Sequence, residues 1–558
     1  MTGPGQPPEP VAIPPQEDFP VEWASPDEAK IPWQLDRLHF PDAFQPLESE
    51  FWTRFLHGMH QGMEHYEMPV QAVGKEFNYW VYLGIFPRVP LEKMQEQGKR
   101  SDEVVMAAVG RLQERWDSEW LPEIHSYIEK WDAFDVTAAS TAELAEYFEQ
   151  MWEESRRLWQ LHFQIVIPVY VALALFDDLY RDLFEDDGAF GSQKLLQGFD
   201  NKTLEVDRGL WELSRKARTS EEVRKVIGER ASGDAVRALS ETADGKAFLQ
   251  ELNAFLDKHG KRGAMWGISH TSWIEDPSPV IVNLRDYIGQ DGDPAAELKE
   301  RAAERDAAIA HVRQRLEGYP ANVRDEFESL LTASATAIVL TEDHGYWIDF
   351  NAPYRIRRVI VELGARLVAA GTIATTDDVF FLHQNEICAA AGASQAPDHT
   401  GLIGERKSEF DHYRAVSAPS LMGTDYGPPP LGLVTTAFGK FFGVPPEPSN
   451  VEGMFKGNAG SPGKVQGTAK VVGSLAEADK LELGDILVAE TTAPPWTPLF
   501  ATAAAIVTDT GGILSHCAVV AREYRIPAVV GTAVATAMIS DGQTIEVDGD
   551  AGFVRIVD

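Results

Sequence analysis

From about residue 32 to about residue 411 the apolar side chains recur at three- and four-residue steps, the period of an amphipathic helix. The stretch after Ser140 shows the pattern. Leu144, Tyr147, Phe148, Met151, Trp152, Trp159, His162 and Phe163 share one face, and Ser140 with Glu143 has the spacing of a capping box. The same period predicts helices over Ser220–Ile227, Pro294–Leu316, Asn322–Leu340 and Tyr354–Ala370, the last stopped by Gly371. Residues 31–414 are therefore expected to form a large all-α domain. The longest apolar run, FQIVIPVYVALALF from Phe163 to Phe176, falls short of the roughly 20 residues that span a bilayer. It holds Gln164 and Pro168, and predicts a core helix that kinks or starts at the proline.

The helical period stops near residue 415. Proline and glycine clusters over residues 415–454 predict an irregular linker. Beyond it, short β-rich runs at Lys464–Val472, Asp485–Glu490, Ala504–Asp509, Ala528–Val530, Thr544–Val547 and Phe553–Val557 alternate with helical segments Ser474–Leu481 and Ser515–Tyr524. Residues 455–558 are expected to close into a small α/β domain. Residues 1–30, proline-rich and acidic rather than basic and then apolar, read as a disordered arm without a secretory leader.

Composition narrows the partners. Fifty basic against 86 acidic residues give a net charge of −36, which argues against a surface for nucleic acid or an anionic membrane, since either needs a basic patch. The 2 cysteines, Cys388 and Cys517, lack ligand or disulfide spacing, so a reducing cytoplasm is expected. His57, His60 and His65 are scattered around one helix, and no metal site is assigned.

The informative segment is IVTDTGGILSHCAVVAREYRIPAVVGT, from Ile506 to Thr532. A β-run ends at Thr508–Asp509–Thr510, Gly511–Gly512 make a turn, and Ser515–His516 open an amphipathic helix. His516 is thereby placed at a helix N-terminus, where unpaired N–H groups and the helix dipole favour an anion. Neutral imidazole is a competent nucleophile toward phosphorus. Thr508, Thr510, Ser515 and the backbone of Gly511 and Gly512 are the expected phosphate donors, with Arg522 a further candidate.

This segment closely resembles the phosphohistidine signature of the PEP-utilising enzymes, the family of PEP synthase, pyruvate phosphate dikinase and rifampicin phosphotransferase. Gly460–Ser461–Pro462–Gly463, GDILVAETT at Gly484, Trp496–Thr497–Pro498 and DGQTIEVDGDAG stand where that family places them. A looser resemblance to the helical substrate domain of rifampicin phosphotransferase and phenylphosphate-synthase-like proteins runs through WQLDRLHFPDAFQPL, LDKHGKRG, SWIEDPSPVIVNLRDYI and TEDHGYWID. The resemblance implies a swivelling phosphohistidine domain with His516 as its phosphoryl carrier. It also implies ATP and magnesium as cofactors, held by a separate ATP-grasp subunit, since the glycine-rich lid of that domain has no counterpart here. GNAGSPGK at Gly457 has one residue too many between its glycines for a P-loop, and Val465 where Ser or Thr belongs.

An acceptor has to lose a proton as it attacks phosphohistidine, so a base is expected in the helical part. His344, with Glu342 two residues before it, is the first candidate; Lys261 and Arg262 are candidates to neutralise the phosphoryl group. Tyr79, Trp80 and Trp273 offer flat apolar walls for an aromatic ring. Together with the resemblance these point to a dikinase-type transfer onto a phenolic or benzylic hydroxyl, as in phenylphosphate or methylbenzyl-phosphate synthase. The competing readings are an antibiotic phosphotransferase subunit and a phosphocarrier with no small-molecule acceptor.

Overall fold

The computed structural model describes residues 10–557, apart from 38, 41, 189, 264, 396, 428–431, 444–452, 474 and 493–495. They form two compact units: residues 1–168, 266–269 and 347–435 in the first, residues 169–265, 270–346 and 436–558 in the second. The sequence pattern draws its boundary elsewhere, between residues 414 and 455. Residues 444–452 of the expected linker lie outside the described residues.

The first unit is mostly helical but not all-α. It holds a five-stranded antiparallel sheet in the order Val11–Ile13, Leu421–Asp425, Pro32–Leu35, Trp80–Pro87, Val70–Phe77. Three expectations change with it. Residues of the supposed arm supply the first strand, and Phe19 is fully buried. The supposed linker supplies the Leu421–Asp425 strand, and its residues Leu433–Phe442 form a helix. Asn78 and Tyr79 join Val70–Phe77 to Trp80–Pro87 through a two-residue turn with φ of 52° and 69°, the positive-φ geometry that suits strand twist. The Pro46–His65 helix covers this hairpin closely, because Gly74 has no side chain to collide with Leu56.

That helix also carries Glu48, which is fully buried and accepts the amide N–H groups of Ile268 (3.0 Å) and Ser269 (2.6 Å). Burial pushes its carboxyl up to about 7, against the pull of these hydrogen bonds. Because the folded value is raised, the stabilisation is complete below the ordinary carboxylate range and is lost as pH rises through about 7. Glu48→Gln keeps an acceptor oxygen without the charge. It should flatten the fall in thermal stability between pH 5 and 8 and stabilise the protein at pH 8, by up to roughly 3 kcal/mol. Parallel melting-temperature profiles for the two proteins would sink this account.

The second unit joins a helical layer to the C-terminal α/β fold. Its helices include Lys202–Arg218, Ala243–His259, Ser278–Gly289, Pro294–Leu316 and Ala321–Gly345. Their starts follow local chemistry: Asn201, Thr242 and Asp293 each accept a first-turn N–H through the side chain. The eight-stranded sheet runs in the order Met454–Lys456, Phe553–Ile556, Thr544–Asp548, Lys464–Val471, Ile486–Ala489, Ala505–Thr508, Ala528–Val530, Asn458–Ser461. Its four strands from Lys464–Val471 to Ala528–Val530 are parallel, and the three in the middle of the fold are buried throughout, which is why they read as unbroken apolar runs. Gly457–Lys464 is a strand followed by a turn, not a strand-to-helix phosphate loop.

The helix Thr141–Leu183 starts at the expected capping box: Ser140 N–H donates to Glu143 and Glu143 N–H to Ser140. It continues through Pro168 without a break. It is the one described helix long and apolar enough to cross a membrane, and 83% of its most apolar window is buried inside the protein.

Candidate functional site

The site lies in the second unit, where the Ala505–Thr508 strand ends. Gly511, at φ 103°, reverses the chain, and Ser515 caps the His516–Glu523 helix by accepting the Ala518 N–H at 3.4 Å. A second segment clamps this turn. Gly512 N–H donates to the Phe441 carbonyl (2.8 Å) and Leu514 N–H to that of Lys440 (3.2 Å). A Cβ at Gly512 would collide with the Lys440 carbonyl, so no other residue fits. Lys440 is itself fixed by Asp177 (2.9 Å) and Asp178 (2.6 Å), and the Phe441 ring stacks on Tyr170 at 4.1 Å.

His516 is the first residue of its helix, and only 13% of its side chain is exposed. Its Nδ1 lies 3.1 Å from Glu342 Oε1 and its Nε2 3.3 Å from Thr497 Oγ1. Glu342, near the end of the Ala321–Gly345 helix, is buried and takes the Thr203 hydroxyl on Oε2 at 2.7 Å. Burial alone would raise the Glu342 carboxyl. The His516 imidazole, the Thr203 hydroxyl and His344 outweigh it and hold the carboxyl below its ordinary value. An anionic carboxylate can only accept, so Nδ1 of His516 carries a proton, and in the neutral ring the lone pair then sits on Nε2. Nε2 is thus the nucleophilic atom, in the arrangement by which a carboxylate orients a catalytic imidazole.

Residues 481–552, which contain His516, match the family model described as PEP-utilising enzyme, mobile domain. Residues 161–342, which end on Glu342, match that of the rifampicin phosphotransferase fourth domain. Both segments are thus similar to parts of the PEP-utilising enzymes and their phosphotransferase relatives. The His516–Glu342 contact joins the two matched segments. Among curated relatives, the chondramide synthase CmdD of Chondromyces crocatus is 38% identical over 98% of this chain, which covers 14% of that protein. The uncharacterised phosphotransferase YvkC of Bacillus subtilis is 29% identical over 78% of this chain and 52% of its own length. The rifampicin phosphotransferase of Streptomyces sviceus is 30% identical over 76% of this chain and 48% of its own length. The chain therefore spans about half the length of these phosphotransferases.

Several residues expected at the phosphate have other work in this chain. The Thr508 hydroxyl donates to the Thr510 carbonyl (2.8 Å), and the Thr510 hydroxyl to that of Glu490 (3.1 Å). Both hydroxyls shape the turn rather than face His516. The Gly511 carbonyl takes the Asn458 amide, and Gly512 N–H is used by the Phe441 clamp. Arg522 is half-buried and donates to the carbonyls of Gly460 (2.7 Å) and Ile513 (3.0 Å), tying the turn to the sheet edge. Cys517, next to His516, is buried, and burial pushes its thiol up to about 12. It is therefore inert at neutral pH.

The acceptor candidates divide. Glu342 is the one that touches His516. His344, first choice as base, is buried with Nδ1 against the Leu340 carbonyl, so it acts on the site through the charge of Glu342. Arg262 is buried with its guanidinium 5.1 Å over the Trp273 ring. Burial draws it down to about 10, against the pull of Tyr346 and Glu342, so it remains a cation at neutral pH. Lys261 is half-buried beside it, and Trp273 packs in the helical core around Leu210 and Leu284. Tyr79 and Trp80 belong to the core of the first unit. Their polar atoms are satisfied by Glu409 (3.0 Å) and the Tyr413 carbonyl (3.0 Å), as a core role requires. Sequence reasoning gave no role to Thr497 or Thr203. Thr497 stands in the Trp496–Thr497–Pro498 motif that carried the resemblance; Thr203 has no local signal.

Proposed function

We propose that this chain transfers a phosphoryl group through Nε2 of His516 to a hydroxyl of an organic acceptor. The observation that supports this reading is the His516–Glu342–Thr203 chain of hydrogen bonds, which leaves Nε2 as the lone-pair nitrogen. In the transfer, the P–N bond to Nε2 breaks as the P–O bond to the acceptor forms. The hydroxyl proton ends on the Glu342–His516 pair, and the Nδ1 proton, held by the carboxylate, lets the ring depart as neutral imidazole rather than imidazolate. Arg262, cationic and close enough to feel Glu342, is the residue proposed to offset charge on the moving phosphoryl group.

The donor proposed is ATP with magnesium on a separate ATP-grasp subunit, in a dikinase-type reaction. The acceptor proposed is a phenolic or benzylic alcohol. An antibiotic acceptor is the second reading, supported by the match to the rifampicin phosphotransferase fourth domain. The test is to incubate the chain with labelled ATP and magnesium, with and without a purified ATP-grasp protein. Acid-labile, base-stable label should appear only when the second protein is present. Strong self-labelling would remove the separate donor; label of other stability, or mapped away from His516, would remove the carrier role.

A further inference from the structure

Within the second unit a cavity of about 500 Å³ opens beside the His516–Glu523 helix. Val519 and Ile338 contribute to its wall, with Phe190 and Leu196. Val519 follows His516 by three residues, and Ile338 precedes Glu342 by four. Each therefore lies on the helix face that carries its half of the His516–Glu342 pair, one turn along. The volume is in the range of small-molecule sites.

Its polar groups are distributed unevenly. The carboxylates at its edge are already paired, Glu523 with Arg301 (2.8 Å) and Glu304 with Arg525 (2.9 Å). Lys194 and Arg522 line the same cavity; Asp187 acts on the first and Glu523 and Asp177 on the second through charge, but neither cation is in a salt bridge among the described residues. Ser461, also in the lining, is fully buried, and its hydroxyl has no hydrogen-bond partner among the described residues. A buried hydroxyl without a partner costs about 1–3 kcal/mol, which a ligand oxygen would relieve.

We propose that this cavity is the acceptor site, and that it takes a small hydroxylated aromatic acid. The ring lies against Phe190, Leu196, Ile338 and Val519, and the carboxylate meets Lys194, Arg522 and the Ser461 hydroxyl. A ring with carboxylate and hydroxyl at opposite ends bridges roughly one helical turn, ~5 Å, from that cationic end toward His516. The P–N bond at Nε2 breaks as the bond to the ring hydroxyl forms, and the proton passes to the Glu342–His516 pair. The assignment of the cavity as acceptor site rests on the phosphotransfer reading; ligand binding there does not.

The probes are 4-hydroxybenzoate and phenol, titrated into the whole chain by ligand-observed NMR without any phosphoryl donor. 4-Hydroxybenzoate should bind more tightly than phenol. Lys194→Met should weaken the acid about tenfold and phenol little, as expected for loss of one charge-assisted contact. Ala308→Phe, at a half-buried position of the cavity wall, should weaken both at least about tenfold by filling the space. No binding of 4-hydroxybenzoate to the wild type, or equal binding to both variants, overturns the proposal. In a second arm His516 is phosphorylated chemically with labelled phosphoramidate. Bound 4-hydroxybenzoate should speed the loss of label, and an unchanged rate from labelled protein overturns the acceptor assignment. Failure of His516 to take label at all is the separate failure of the phosphotransfer reading.

Discussion

His516→Ala should carry no acid-labile phosphoryl label under conditions that label the wild type fully. Nothing near the site replaces the lost nitrogen. Cys517 is buried with its thiol pushed up to about 12, and the Thr497, Thr508 and Thr510 hydroxyls lack an adjacent base. The substitution also leaves Glu342 buried without the imidazole that holds its carboxyl low. Its folded value should rise, so the variant should be less stable than the wild type at neutral pH, by roughly 1–3 kcal/mol. That difference should shrink as pH falls and the carboxyl of the variant protonates. Thermal melts between pH 4 and 8, run beside the label assay, check both parts. Residual label of histidine stability on another residue would displace His516 from the centre of the mechanism.

What was legible in the sequence was what is local. The Gly511–Gly512 turn, the Ser515 cap and the His516 position are encoded within six residues, and the structure builds them as read. Pro294–Leu316 has the bounds its period predicts, and Ser220 caps the helix at Glu221–Glu229. The five-stranded sheet was hidden for two reasons. Its strands come from residues near 11, 32, 70–87 and 421, so no local window contains it. Trp80, Val81, Tyr82 and Leu83 are all buried, which erases the two-residue alternation by which a strand is recognised. The Leu433–Phe442 helix lies among glycine and proline clusters, and its observed anchors are tertiary: Lys440 on Asp177 and Phe441 on Tyr170. The same distinction runs through the site. Glu342 and His516 are 174 residues apart, so each could be picked out singly but not as partners. Arg522, with a charge near the phosphohistidine turn, looked like a phosphate ligand because sequence cannot show that its Nη1 ties the turn to the sheet edge through two carbonyls.

Glu342→Gln should slow discharge of phosphohistidine by roughly 10²–10⁴-fold, the scale seen when an orienting carboxylate is exchanged for its amide. The substitution preserves size and keeps an oxygen for the Thr203 hydroxyl, so the fold should hold. What changes is the partner of Nδ1. A carboxylate compels Nδ1 to carry the proton, whereas the amide nitrogen donates and draws the tautomer with the proton on Nε2. In that tautomer Nε2 has no lone pair to offer. In discharge the amide also cannot take up the proton that the acceptor hydroxyl releases, so the pair loses its base. Loading should suffer from the tautomer alone, and discharge from both effects, so the rate of label loss should fall further than the rate of label uptake. Measuring the two rates separately gives a readout that a merely structural Glu342 would not move. Equal slowing of both steps would reduce Glu342 to a packing role, and wild-type rates for both would dissociate it from the chemistry of His516. Thr203→Val makes the complementary case. It removes a hydroxyl that touches Glu342 at 2.7 Å but not His516, and so should raise the Glu342 carboxyl and move the acid limb of the discharge profile to higher pH while the tautomer at neutral pH stays as it is.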